Sequence, residues 1–435
     1  MAVDVAVVGA GVSGLNCAAT LARNGARVVV FEAAGRIGGR VRTHLAGDGA
    51  PAELGAQVVH GARNPIRALL GEAEVAPEPR SATALAVRGG RRGAIGALAR
   101  TGHPPWAVEE RLAADPGAEG AEGPGAGSVA GWLDAHVPGE TERSVAAEWF
   151  RQNWAADPAE LSAAGVAAAC RGDPVGPGEY LVAGGFAELP RQLARGLDIR
   201  LGQPVERISW APGRAELAVS APPGAGPGRG AGGGPGAGPG LGLGLAGRHV
   251  AAAVVVTSPP PVVAAGRLVI DGLPAAKLAA AQALAPGDGC CLVATLDRAA
   301  PETAVVFDAD GRGGFIRSRE GHPGVPIVAK SGAAAAVRAL LPGGLAGLLA
   351  GALPWARGAR VTGLEVADWG ADRWIGGAFS FPRVGSGWAP GVWARPLGNT
   401  VFFAGEAAWG RGPASVHGAM ASGERAARQI LEGQP

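Results

Sequence analysis

Gly9, Gly11 and Gly14 stand in the spacing G-x-G-x-x-G, and an acid, Glu32, follows about 20 residues later. Such a run can cradle a pyrophosphate. The first glycine permits a tight turn, the second lets backbone approach the phosphates, and the third lets a helix pack closely on a strand. Glu32 is placed to accept both hydroxyls of a ribose. In a chain with 75 glycines the spacing alone says little. Its weight comes from order: strand, turn, helix, second strand and terminal acid follow one another. A second segment, Gly35-Arg36-Ile37-Gly38-Gly39-Arg40-Val41-Arg42-Thr43, adds paired glycines for close approach, Gly39 among them, and Arg40 to neutralise phosphate charge. Far away, Val401-Phe402-Phe403-Ala404-Gly405-Glu406 reads as a strand returning to the same nucleotide, and a helix begins near Ser415 or Val416. The N-terminal dipole of that helix would face a flavin ring and stabilise negative charge on it. These two additions select FAD over NAD.

The elements that position these residues follow from periodicity. Val3 to Val8 form a first strand. Leu15, Ala18, Ala19 and Ala22 give the next helix a small apolar face, Gly25 stops it, and Val28 to Phe31 form the second strand. Residues 81–180 differ in texture, with Trp106, Trp132, Trp149 and Trp154 spread over helical segments, and read as a substrate-binding insertion. Residues 221–247 are mostly Gly, Ala, Pro and Leu, which cannot bury enough surface to offset their ordering entropy. They read as a disordered expansion of a hairpin loop between strands near 215–220 and 249–257.

Composition narrows the class. At 435 residues and 47% apolar, the chain is large enough for two packed domains. A net charge of +2 gives no reason to expect nucleic acid. Cys17, Cys170, Cys290 and Cys291 make no C-x-x-C pair, so no metal site or disulfide framework is expected, and a cytoplasmic setting fits. No export signal and no membrane-spanning apolar run are read from the sequence.

At these residues the chain resembles the flavin-dependent amine oxidases, the group containing monoamine oxidase and polyamine oxidase. The resemblance extends over most of the chain, through 7–43, 53–65, Gly184-Gly185-Phe186, Val205, 254–259, 368–379 and 401–427. It implies that Glu32 binds ribose, Arg40 the pyrophosphate and the Val205 backbone the adenine. It implies further that Gly55, Ala56 and Gln57 line the flavin, Glu406 sits by the ribityl chain, the Val416 amide meets a flavin oxygen, and Trp369 shields the ring. The segment Glu53 to His60, with Gly61 and Asn64-Pro65, is most similar to the polyamine oxidase version, in which a histidine at the position of His60 faces the substrate. A satisfied loop histidine is the alternative there. An arginine near Val58, which would clamp a substrate carboxylate, is absent.

The chain also departs from the family pattern. Ala378 stands where monoamine oxidases tether flavin through cysteine, so FAD is expected to be noncovalent. Ala34 replaces an arginine that the family often places near the nucleotide. Of two aromatic cage residues before the flavin, Phe379 matches one and Ser415 replaces the other, leaving Trp374, Trp388 or Trp409 to close the gap. Cys291, or Cys290 after a one-residue slip, takes the place of a lysine that reaches flavin N5 through water. Lys277 and Lys330 lie on other elements, so slow reaction of reduced flavin with oxygen is the expectation.

The reading is thus an α/β chain of two domains, α+β in arrangement. The Rossmann-like FAD domain spans 1–80, 181–270 and 376–435; the interleaved substrate domain of sheet plus helices spans 81–180 and 271–375. The expected reaction oxidises an amine to an imine by hydride transfer, with oxygen as acceptor giving hydrogen peroxide. The alternative is a biosynthetic flavin dehydrogenase or desaturase. A small-molecule amine is the expected partner, and a homodimer is left open.

Overall fold

Valines at 5, 7 and 8 favour extended backbone, and the strand Asp4–Val8 they build is buried on both faces. A computed structural model of the chain describes residues 4–433 apart from 48, 73, 78–82, 99–103, 120–126, 221–240, 243–246 and 342. Asp4–Val8 lies inside a six-stranded sheet in the order Leu241–Gly242, Asp198–Arg200, Arg27–Phe31, Asp4–Val8, Ala253–Val256, Val401–Phe403. Every pairing in it is parallel. Register aligns Val8 with Phe31 and Val256, and Val256 with Phe403, so Gly9, Glu32, Thr257 and Ala404 leave the sheet at one edge. That carboxyl edge is where open α/β sheets bind ligands.

The helices Val12–Arg23 and Val416–Glu432 cover one face of this sheet and pack on each other through small residues. A Cβ on Gly423 would lie 2.2 Å from the Ser13 carbonyl oxygen, so only glycine fits. Asn16 Nδ2 donates to the Met420 carbonyl at 2.8 Å across the same contact. Leu15, Leu21, Val30, Ala427 and Ile430 close the core beneath; each large aliphatic side chain removed from water there contributes about 1.5–3 kcal/mol.

The run expected as one strand near 249–257 is two. Gly247–Ala251 pairs antiparallel with Arg214–Val219, while Ala253–Val256 joins the parallel sheet. Ala252 bends the chain from one sheet into the other. The strands on either side of the Gly/Pro-rich segment are therefore hairpin neighbours. Leu241–Gly242, within that segment, forms a short edge strand; most of the segment lies outside the described residues.

A seven-stranded mixed sheet runs Val361–Asp368, Gly289–Leu296, Gly324–Lys330, Phe315–Ser318, Ala304–Asp308, Thr83–Arg88, Arg91–Ala94. Cys290, Leu292 and Ala294 face the helices Gly332–Ala339 and Leu345–Ala352. Cys291 and Val293 face the opposite way, toward Leu54 and Trp369. The two-residue period of a strand thus separates the adjacent cysteines onto opposite faces. Four helices, Trp106–Ala114, Val129–His136, Glu140–Trp154 and Ala163–Gly172, pack around Leu112, Leu133, Phe150 and Leu161. Among the described residues no helix is long and apolar enough to cross a membrane.

Candidate active site

One cavity of about 1290 Å³ runs from the carboxyl edge of the parallel sheet to the seven-stranded sheet. It exceeds the roughly 300–1,000 Å³ usual for a single small ligand. At its first end, Gly9 takes a φ of 107°, and a Cβ there would meet the Thr257 hydroxyl at 2.6 Å. A Cβ on Gly14 would lie 2.0 Å from the Gly9 carbonyl oxygen. The second glycine segment docks on the first: the Gly38 amide donates to the Ala10 carbonyl at 2.8 Å. Gly11 caps the helix Val12–Arg23 without a side-chain bond, and Gly9, Gly11, Val12 and Ser13 line the cavity. The helix N-terminus and its amides therefore lie on the cavity wall, as phosphate binding requires.

Glu32 accepts hydrogen bonds from the Ala10 amide at 2.6 Å and the Ala34 amide at 2.8 Å. Burial pushes its pKa up, opposed by those two amides and by Arg36. Two oxygens offer about four acceptor positions, so two remain for ribose hydroxyls. Val205 lines the wall near this end. Ala34 brings no cation, but Arg36 lines the cavity, donates to the Gly39 carbonyl at 2.7 Å and lies 5.7 Å from the Trp369 ring. The nucleotide cradle thus has a second guanidinium, which sequence reasoning left unassigned although it lies within the glycine segment. Buried amides, glycines that admit no Cβ and a carboxylate with spare acceptor positions fit an FAD adenosine and pyrophosphate.

Midway along the cavity, Gly55, Ala56 and Gln57 lie on the wall, and a Cβ on Gly55 would sit 1.9 Å from the Arg40 carbonyl oxygen. Arg40 Nη1 donates to Glu406 Oε1 and to the Ala378 carbonyl, each at 2.9 Å. Ser380 Oγ holds the other Glu406 oxygen at 2.5 Å. Gly405, beside it, has φ 123°. Trp369 is buried, and its indole donates to the Leu54 carbonyl at 2.8 Å. Val416 opens the helix Val416–Glu432, and its amide is one that a helix leaves without an internal partner. Ser415, proposed in place of a cage ring, caps that helix by accepting from the Gly418 amide at 3.2 Å. Of the tryptophans that could close the cage, Trp374 lines the cavity, Trp388 is 48% exposed away from the wall, and Trp409 packs edge-on to His417.

At the far end stand His60, Phe379, Cys291 and Lys330. His60 pairs in register with Glu179, with Nδ1 3.7 Å from the Glu179 carboxylate. Its side chain is 55% accessible, but that surface opens into the cavity, and burial is the main cause holding its pKa below the ordinary value, with His417 next. Asn64 Nδ2 donates to the His60 carbonyl at 2.7 Å and reaches His417 Nδ1 at 3.3 Å. With Nδ1 accepting, the proton of a neutral His417 sits on Nε2, which faces Ser415 Oγ at 3.2 Å and Asp173 at 3.4 Å. Burial is the largest single influence on the Asp173 pKa and works to raise it, but the bond to His417, the Val175 amide and the nearby imidazoles together hold the carboxyl below its ordinary value. His417 follows Ser415 and Val416 so closely that its helix position could have flagged it. Asp173 carries no sequence signal.

The lysine question takes a different form in space. Gly324–Lys330 is the antiparallel neighbour of Gly289–Leu296, with Lys330 opposite Gly289 and Val328 opposite Cys291. Lys330 lines the same cavity as Cys291, and its ammonium lies 5.3 Å from the Phe379 ring centroid. Cys291 is therefore not the only candidate at that position. The Cys291 thiol is pushed up to about 11 by burial and stays neutral, whereas burial pushes Lys330 down to about 8. Gln152 fixes the lysine: its carbonyl accepts from Nζ at 2.5 Å and its side chain bonds both the Lys330 amide and carbonyl at 3.0 Å. Lys277, by contrast, is buried elsewhere and donates to the carbonyls of Val392, Trp393 and Arg395.

A sequence model of the flavin containing amine oxidoreductase family matches residues 12–431. In three dimensions the chain resembles a wild-type putrescine oxidase solved with putrescine bound, at 21% identity over 99% of each chain and a TM-score of 0.77. It also resembles a cyclohexylamine oxidase from Brevibacterium oxydans IH-35A, at 20% identity over 99% of each chain and a TM-score of 0.74. Both share its two-domain fold. Among curated sequences, lysine-specific histone demethylase 1 homolog 2 of Oryza sativa subsp. japonica is 51% identical over 71 residues, 16% of this chain and 9% of that one. Histone demethylase-like protein A of Aspergillus fumigatus is 44% identical over 70 residues, 15% and 6% of the two chains. These alignments cover less than a tenth of the curated relatives.

Proposed function

We propose that this chain, which belongs to the flavin-containing amine oxidoreductases, removes a hydride from the carbon next to the nitrogen of a small amine and so gives an imine. The observation that carries the reading is the single cavity joining the dinucleotide cradle to His60, Phe379 and Lys330. FAD, when bound, supplies the acceptor for that hydride. Glu32 would hold the ribose, the amides at Gly11–Ser13 the pyrophosphate with Arg36 and Arg40 nearby, and Gly55, Ala56, Gln57 and Val416 the ring. Ala378 offers no sulfur, which supports noncovalent attachment.

His60, whose pKa burial holds below its ordinary value, faces the cavity as an imidazole that can accept a hydrogen bond from the free amine and so favour and orient the neutral form that reacts, with Glu179 beside Nδ1. Phe379 packs the neutral amine, and buried Trp369 excludes water behind the ring position. Water then hydrolyses the imine. Lys330 supports oxygen as final acceptor, giving hydrogen peroxide, because a cation fixed in the cavity favours charge development on oxygen. The sheets support an FAD domain drawn from 1–80, 181–270 and 376–435 around a substrate domain from 81–180 and 271–375, and the four free cysteines suit a reducing cytoplasm.

The test is anaerobic mixing of the yellow protein with a panel of primary and secondary amines. Bleaching of the flavin absorbance by at least one amine, followed by peroxide release in air, is expected. A panel that leaves the absorbance unchanged would sink the reading.

A further inference from the structure

The helix Trp106–Ala114 carries Glu109 to the cavity wall, well away in sequence from any residue assigned above. Its carboxylate is held by neutral donors alone. Oε1 accepts from the Trp154 indole at 2.7 Å; Oε2 accepts from the Trp149 indole at 2.8 Å and from Asn153 Nδ2 at 3.2 Å. A carboxylate offers about four acceptor positions, so one on Oε1 is left. Among the described residues no arginine, lysine or histidine pairs with Glu109. Bringing three polar side chains around one carboxylate inside a cavity, with no counter-charge, leaves a negative centre that a ligand cation can neutralise.

The surroundings suit an organic cation. Trp106 and Trp149 rings lie 5.6 Å apart, and Trp149 meets Phe307 and Phe315 edge-on at 5.7 and 5.8 Å. Aromatic faces attract ammonium groups, and their apolar bodies accommodate methylene chains. The Cys170 thiol on this wall is pushed up to about 12, first by burial and then by the charges of Glu109 and Asp173, so the negative potential extends along the wall. The cavity cations Arg317 and Lys330 act instead on His60, whose pKa both depress.

We propose that Glu109 and its indoles form a subsite for a second ammonium group, so that the substrate is an amine with two positive charges separated by an apolar chain. This rests on the amine-oxidation reading, with one ammonium at Glu109 while the other amine reacts near His60 and Phe379. The alternative is that Glu109 only staples two helices together.

The experiment titrates anaerobic holoenzyme with 1,4-diaminobutane against butylamine, and with 1,8-diaminooctane against octylamine, following tryptophan emission and flavin absorbance. In at least one pair the native protein should bind the diamine roughly 10- to 100-fold more tightly than the monoamine, the range of one charge-assisted hydrogen bond. E109Q should erase that gap while leaving the monoamine within about two-fold. Equal affinities within both native pairs, which need no variant, overturn the subsite; so does an E109Q variant that weakens diamine and monoamine alike. Tight diamine binding that depends on Glu109 but leaves the flavin unbleached keeps the subsite and removes the reaction. Bleaching by both amines at equal affinity does the reverse.

Discussion

Arg40 and Glu406, 366 residues apart in sequence, share a charged hydrogen bond of 2.9 Å in the middle of the cavity wall. Sequence motifs assign them to different parts of the cofactor, phosphate for one and ribityl chain for the other. The structure makes each the positioning group of the other, because the Glu406 side chain is only 9% exposed and Arg40 is its cationic partner.

Glu406→Gln should leave Arg40 with the Ala378 carbonyl and a weaker neutral acceptor. The expected result is a loss of about 1–3 kcal/mol of stability in urea unfolding, together with partial loss of FAD on gel filtration. Unchanged flavin content and unchanged urea midpoint would show that the pair does not position the site.

Glu32→Gln should weaken FAD binding by roughly 10- to 100-fold. The variant turns one oxygen into a carboxamide NH2, a donor facing a backbone N–H, since both carboxylate oxygens already accept from backbone amides. Far-ultraviolet circular dichroism of the apoprotein should be unaltered; wild-type affinity for FAD would mean that the ribose is held elsewhere.

Lys330 carries its charge below about pH 8 and loses it above. If that charge assists oxygen, reoxidation of the dithionite-reduced protein should slow as pH rises through about 8. Lys330→Met should be slow at every pH and flat across that window. Stopped-flow mixing with oxygen reads both. A native rate independent of pH from 6 to 10 would return the slow-oxidase or dehydrogenase alternative. Cys291→Lys would now place a second cation beside the first in a dry wall, so it should lose stability rather than gain rate.

Lys277→Met should cost about 3–5 kcal/mol in urea unfolding. Its ammonium serves three carbonyls at the end of the short helix Ala389–Ala394, and it lies 3.8 Å from the Phe403 ring centroid. Methionine fills the volume but leaves those carbonyls without a donor. Destabilisation below about 1 kcal/mol would show that water replaces the lysine.

The nucleotide cradle was legible because its parts are local: strand, turn, helix and acid fall within residues 4–32. The returning strand Val401–Phe403 and the helix at Val416 were legible for the same reason. The substrate end was not, because it is assembled across pairings that no short motif records. Lys330 reaches the cavity through a register that sets it opposite Gly289, and His417 meets Asp173 only because the helix Ala163–Gly172 ends beside another helix's start. Glu109 sits in a stretch whose tryptophans suggested a substrate region but not which carboxylate they surround. The single strand expected near 249–257 failed because an apolar run says nothing about which sheet each half joins.

The contact between Gly423 and Ser13 bears on the order of events during synthesis. The edge strand Val401–Phe403 and the helix that covers the first βαβ unit emerge from the ribosome long after the elements they pack on. At roughly 5–20 residues per second, the N-terminal strands wait on the order of 20–80 seconds for their closing partners. During that interval Leu15 and Leu21, fully buried in the finished protein, lack their final cover. The nascent chain is therefore expected to engage a holdase chaperone, and to capture FAD only after the helix Val416–Glu432 is free to dock.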